Sequence, residues 1–171
     1  MPNDVSGERY DDLLVNPRED LDFEIKNWLD LTGNNDDKAT LAKAVIAIAN
    51  HGGGIIALGL EETGDGVVEA QNRPETLDRY SQDVVNGIVH RYCDPPFHCR
   101  VHVVPGPEGG MFPLIRVPGG HGIPVLARRD SPNGTTLKQN AAYIRKPGPR
   151  SETPQSAHDW KALLVLCPGN N

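Results

Sequence analysis

Cysteine is scarce: Cys93, Cys99 and Cys167 are odd in number and have no paired framework. That excludes a small secreted scaffold held by cross-links and fits a reducing compartment, so a cytoplasmic chain is expected. No apolar run approaches the roughly 18 residues that a membrane-spanning helix needs. The acidic, polar N-terminus also lacks the charged-then-apolar pattern of an export signal, so no membrane partner is expected. A cationic excess is missing too, since 17 lysines and arginines face 23 aspartates and glutamates, for a formal charge of -6. Nucleic-acid binding would therefore have to rest on a local basic patch rather than on the overall field. No internal repeat, heptad run or low-complexity tract is present.

What the chain does have is one stretch of deep burial, Ala39 to Leu60, in a polypeptide whose 171 residues suit a single domain. Residues 39–49 are apolar nearly all round, with Leu41, Val45 and Ile48 at helical spacing, the pattern of a helix buried on most of its surface. Asn34, Asn35, Asp36 and Asp37 supply helix-start chemistry, and Asn50-His51-Gly52-Gly53-Gly54 ends the helix and reverses the chain. Residues 55–60, Ile-Ile-Ala-Leu-Gly-Leu, read as a strand covered on both faces that surfaces at Glu61-Glu62.

Around this centre the pattern predicts a short helix over Glu8–Val15 and an alternating strand over Leu21–Asn27, with Leu21, Phe23 and Ile25 buried and Asp22, Glu24 and Lys26 on a charged face. A turn at Thr63–Gly66 would return Val67–Ala70 as the second arm of a hairpin with the buried strand. Helical spacing from Pro74 to about Tyr92 gives a second principal helix. Strands follow at Phe97–Val104 and Met111–Val117, then shorter ones at Val125–Arg128 and Ala141–Lys146, with an amphipathic helix over Gln155–Leu166. The sum is an α+β domain with a mixed, mostly antiparallel sheet and two principal helices, layered on one side of the sheet.

The ordered set of Glu19, then Glu24 in Phe23-Glu24-Ile25-Lys26, an Ala-rich helix into Asn50 with Gly53-Gly54, the strand to Gly59-Leu60 with its acidic turn, and Ala142-Tyr143-Ile144-Arg145 resembles the Schlafen AlbA_2 domain family, also called divergent AAA-4. The likeness covers roughly Glu19 to Pro149 and divides the chain into an arm (1–18), an AlbA_2-like domain (19–150) and a C-terminal helix and tail (151–171). It implies a domain that binds RNA or DNA, found in bacterial transcriptional regulators, helicase-like proteins and animal Schlafens. In some Schlafens a carboxylate trio makes it a metal-dependent endoribonuclease acting on transfer RNA. Carried over by position, the catalytic set is Glu19, Glu24 and Glu61 or Glu62 with Lys26 beside them, and the metal set is Glu19, Glu24 and Glu62 with Mg²⁺ or Mn²⁺. Two positions depart from the family: Glu stands in the acidic turn where Asp is more usual, and His51 follows Asn50 where a small hydroxyl residue is common.

Such a trio makes chemical sense, because a hard divalent ion held by carboxylates activates water and stabilises charge on a phosphodiester. Glu19 and Glu24, an odd number of residues apart, converge only if Glu19 lies in the turn before the strand; otherwise Asp22, Glu24 and Lys26 are a solvated sheet face. The Asn50–Gly54 turn sits at a helix C-terminus and matches neither a Walker A loop nor a dinucleotide fingerprint, so ATP is not expected. His90, Cys93, His98 and Cys99 are zinc-type donors, but His98 and Cys99 would point to opposite faces of a strand, so zinc is not expected either. Arg128, Arg129, Lys138, Arg145, Lys146 and Arg150 give the C-terminal third a local basic excess, with Tyr143 as an aromatic for stacking. Alternatives to catalysis are a non-catalytic regulatory module and a protein-interaction module pairing through exposed strands, either of which admits a homo-oligomer.

Overall fold

The longest helix forms where the apolar run is densest. In the computed structural model, which describes residues 13–166, helix α1 spans Asn35–His51, and Asn34 caps it by accepting from the backbone N–H groups of Asp36 and Asp37. Gly52, in the left-handed region at φ 114°, terminates it. Of the helix expected over Glu8–Val15, only the last turn, residues 13–15, lies within the described residues; Cys167 lies outside them.

The remaining elements are β1 (Phe23–Lys26), β2 (Gly53–Leu58), β3 (Leu60–Thr63), β4 (Gly66–Glu69), a 3-10 turn (Asp78–Tyr80), α2 (Gln82–Tyr92), β5 (Cys93–Asp94), β6 (Arg100–Pro105), β7 (Met111–Pro118), β8 (Leu126–Ala127), β9 (Ile144–Lys146), β10 (Arg150–Glu152) and α3 (Ala157–Leu166). The central sheet has the order β1-β2-β7-β6. Strand β1 runs parallel to β2, and the other pairs are antiparallel, as expected when α1 provides the crossover between β1 and β2. The fold is α+β with a mixed, mostly antiparallel sheet, in agreement with the sequence pattern. No helix among the described residues is long and apolar enough to cross a membrane.

Two apolar clusters sandwich the sheet. On one face Leu41, Val45 and Ile48 of α1 pack with Ile56, Leu58, Ile115 and Val117 of β2 and β7, and with Val85 and Val89 of α2. On the other, Phe23, Ile25, Ala57, Leu114 and Phe112 are covered by Leu14 and by Leu60 of β3. Each fully buried aliphatic side chain contributes about 1.5 to 3 kcal/mol. Side chains also occupy both sheet edges. Ile25 N–H donates to Glu19 Oε1 at 3.1 Å. Across the sheet, Val101 N–H donates to Gln82 Oε1 at 3.3 Å, and Asn86 brackets Cys99 with bonds of 2.8 and 3.0 Å. Edge groups satisfied in this way are withdrawn from pairing with another strand.

Several local expectations change. The strand expected to run to Leu60 breaks at Gly59, whose left-handed φ of 88° takes the chain out of the extended conformation, and the Trp28 ring packs where a side chain there would lie. Residues 60–63 therefore leave the central sheet and pair with β4 as a separate hairpin. Ser81 splits the expected helix from Pro74, capping α2 through its hydroxyl. Two strands not expected from the pattern appear: β5 pairs with β8, and β10 pairs with β9.

Candidate functional site

Glu24 and Lys26 lie in register with Ile56 and Leu58, so their side chains share the helix-covered side of the sheet. The charged face expected in solvent is instead tucked beneath α1 at the sheet edge, and Glu24 is only 6% exposed. Its carboxylate is held on both sides. Lys26 Nζ lies 3.0 Å from Oε1, and Arg145 of β9 donates to Oε2 from a guanidinium that is itself buried. The same guanidinium donates to the carbonyl of Asp20 at 2.6 Å and that of Leu21 at 3.4 Å, and to Ser151 Oγ at 3.3 Å.

Glu19 lies in the segment before β1, as convergence required. It lines the same open groove as Glu24 and Lys26, a space of about 480 Å³ completed by Thr40 and Lys43 of α1, by Thr136, and by Arg150 and Ser151 at β10. Burial pushes the Glu19 carboxyl above its ordinary range, with the neighbouring Glu24 adding to the rise; the Ile25 N–H bond, Arg145 and Lys26 oppose it. Lys43 Nζ sits 5.5 Å from the centre of the Tyr143 ring.

The third carboxylate is elsewhere. Glu61 lines a different groove with Asn27, Trp28, Asp37, Gln71 and Asn72, and Glu62 is exposed on the outlying hairpin opposite Val67. The catalytic set Glu19, Glu24, Lys26, Glu61 and Glu62 is thus brought together only in its first three members, and the metal set Glu19, Glu24 and Glu62 is not assembled. The break at Gly59 is the physical reason. Among the described residues no three His, Cys, Asp or Glu side chains form a group able to hold a metal ion. With both Glu24 oxygens engaged by cations, the donor set does not fit Mg²⁺ or Mn²⁺.

The expected basic surface also divides. Tyr143 is buried, and its Oη accepts from Lys138 N–H at 2.9 Å, so the ring is not available for stacking on a base. Arg145 is committed to Glu24. Lys146 anchors α3 through Asp159 at 2.8 Å, with Glu152 at 3.5 Å. Each of the three is taken up inside the fold: Tyr143 by the core under α1, Arg145 by Glu24 and Lys146 by α3. Arg128, Arg129 and Lys138 remain exposed. Of the zinc-type donors, Cys93 and Cys99 are buried free thiols, with burial pushing Cys99 up to about 12, while His90 and His98 are exposed with rings 5.5 Å apart.

Asn50 proves to be a clamp. It is buried, with Nδ2 donating to the carbonyls of Val125 and Tyr143, both at 2.9 Å, and Oδ1 accepting from Val125 N–H at 2.8 Å. Lys43 was not singled out from the sequence, although a signal existed: it is the one charged residue in the apolar run 39–50. Nothing local marked Thr40, Thr136 or Ser151.

Fold and groove together define a class: a small α+β domain whose mixed sheet carries, at its parallel edge strand, a charged groove roofed by the crossover helix. The chain belongs to the Schlafen AlbA_2 family, whose family model matches residues 19–150. Among solved structures it is similar to the DIP2311 protein of Corynebacterium diphtheriae, with a TM-score of 0.54 and 17% identity over 82% of this chain. It spans only 26% of that protein's length. It is also similar to the N-terminal domain of a protein from Nitrosomonas europaea named as related to the ATP-dependent DNA helicase RecG, with a TM-score of 0.50, 15% identity, and coverage of 82% of this chain and 88% of that one. These likenesses show the fold. A search of curated proteins found no match.

Proposed function

We propose that this domain binds RNA or DNA through the phosphate backbone, without metal-dependent cleavage. One observation carries the reading: in a chain of net charge -6, the groove beside β1 gathers Lys26, Lys43 and Arg150 with three hydroxyl side chains; Lys43 has no ion pair to a described residue, Lys26 and Arg150 are shared with Glu24 and Glu152, and buried Arg145 neutralises Glu24 from behind. Glu19 is then the one carboxylate in the groove without a cation bonded to it among the described residues. Cations and hydroxyls of this kind position a backbone without reading its sequence. Membership of the Schlafen AlbA_2 family supports the reading, as does the likeness to a domain from a RecG-related protein. Buried free thiols fit a reducing cytoplasm.

The test is binding of labelled transfer RNA and single-stranded DNA across a salt series, with Mg²⁺ and with EDTA. The expected result is salt-sensitive binding, weakened in Lys26→Gln and Lys43→Gln, with no cleavage that depends on the metal. An absence of binding at low salt refutes the proposal. Cleavage abolished by EDTA and by Glu19→Gln would instead restore the endoribonuclease reading, and would require Glu61 or Glu62 to enter the groove.

A further inference from the structure

Away from the groove, the C-terminal turn of α2 and the segment after β8 bring three arginines together. Arg129 Nε donates to the Arg91 carbonyl at 3.0 Å, and Arg128 N–H donates to the Tyr92 carbonyl at 2.8 Å. The Arg91 guanidinium lies 5.4 Å from the centre of the Tyr92 ring. The platform beneath is stiff, because β5 pairs with β8 through Cys93–Ala127 and Asp94–Leu126, and Tyr92, Cys93 and Ala127 are buried.

All three arginines are exposed, and none forms an ion pair with a described residue. Asp130 Oδ1 accepts from Gln139 N–H at 2.8 Å, and neither Asp130 nor Asp94 forms an ion pair with a described residue. Six other cations, Lys26, Arg73, Arg79, Arg145, Lys146 and Arg150, are paired with carboxylates. Arg91, Arg128 and Arg129 thus sit on two adjoining segments over a buried base, exposed and without an ion pair to a described residue. The bond engages Arg129 through Nε, and its two terminal nitrogens donate to no described residue. Guanidinium forks held in this way match phosphate oxygens.

We infer that Arg91, Arg128 and Arg129 form a second phosphate-contact surface, separate from the groove at β1, so that a bound nucleic acid is held at two places on the domain. This rests on the nucleic-acid-binding reading and adds to it where, and with how many charges, the backbone is gripped. Each phosphate contact contributes about one to the slope of log affinity against log salt.

The experiment compares four proteins, the wild type, Arg91→Gln/Arg128→Gln/Arg129→Gln, Lys26→Gln/Lys43→Gln, and the control Lys161→Gln on α3, for binding to labelled transfer RNA and a labelled DNA duplex over a salt series. The triple variant is expected to bind on the order of tenfold or more weakly, with its salt slope reduced by about 2 to 3. The groove variant should show its own separate loss, and the control little change. Because the three arginines are exposed, the triple variant should keep the wild-type melting temperature; if it does not, single Arg128→Gln and Arg129→Gln variants carry the same test at about one slope unit each. If the wild type and the triple variant share the same slope and affinity while the groove variant binds weakly, the second surface is refuted and the nucleic-acid reading stands. If the wild type binds neither probe at low salt, both fall together.

Discussion

Replacing Arg145 distinguishes a buried partner of Glu24 from a phosphate contact. A phosphate-binding arginine can be replaced with little effect on folding, whereas a buried partner of a carboxylate cannot. Arg145 has a side chain only 1% exposed and Glu24 one 8% exposed. Removing one member of such a pair costs about 3 to 5 kcal/mol, because the other charge is left buried and uncompensated. Arg145→Met should fall at the lower end, about 3 kcal/mol, since Lys26 at 3.0 Å still partners Glu24. Glu24→Gln should cost somewhat more, because the guanidinium is left with only neutral acceptors. The double variant should be less destabilised than the sum of the singles by about 1 to 3 kcal/mol. Urea unfolding of all four proteins at neutral pH measures the cycle. An Arg145→Met variant that unfolds within about 1 kcal/mol of wild type, yet loses nucleic-acid affinity and one unit of salt slope, would falsify the structural assignment and return Arg145 to the binding surface.

Three further outcomes follow from the same geometry. Asn50→Ala strips partners from three buried backbone groups and should lower stability by about 3 kcal/mol or more, seen as a lower urea midpoint; a shift under about 1 kcal/mol would show that solvent reaches the site. Gly59→Ala places a methyl 2.4 Å from the Trp28 ring at φ 88°, so a loss of about 2 kcal/mol or more with altered tryptophan fluorescence is expected, and an unchanged spectrum at wild-type stability contradicts the packing described. Glu19 has a folded-state pKa above its ordinary 4.5, so the folded protein holds this proton more tightly than the unfolded chain. Its contribution to stability is therefore greatest below that ordinary value and declines as pH rises through the raised one. Glu19→Gln keeps an oxygen for Ile25 N–H and removes the decline. It should be at least as stable as wild type at neutral pH and converge with it near about pH 4, and a variant less stable only at neutral pH would reverse the sign.

Much of the fold was written locally. The apolar run of α1, the Asn34 cap, the glycines that end the helix and the alternation in β1 each depend on near neighbours in the chain, so the pattern that specifies them is visible in the sequence. The convergence of Glu19 with Glu24 was also legible, because it needed only that Glu19 precede the strand. What the sequence could not determine was which charged side chains would meet across long separations. Glu24 and Arg145 lie 121 residues apart, and Asn50 reaches 93 residues to Tyr143. The placing of Glu61 and Glu62 turned on the left-handed backbone at Gly59, against which Trp28 packs from a separate segment. Charge alone said that carboxylates and cations would surface; tertiary packing decided that one arginine would be buried to hold a glutamate, while others, Arg91, Arg128 and Arg129 among them, would be left outside with no carboxylate partner among the described residues. The reason is physical: periodicity is a property of one segment, whereas desolvation and ion pairing belong to whichever segments the core brings together.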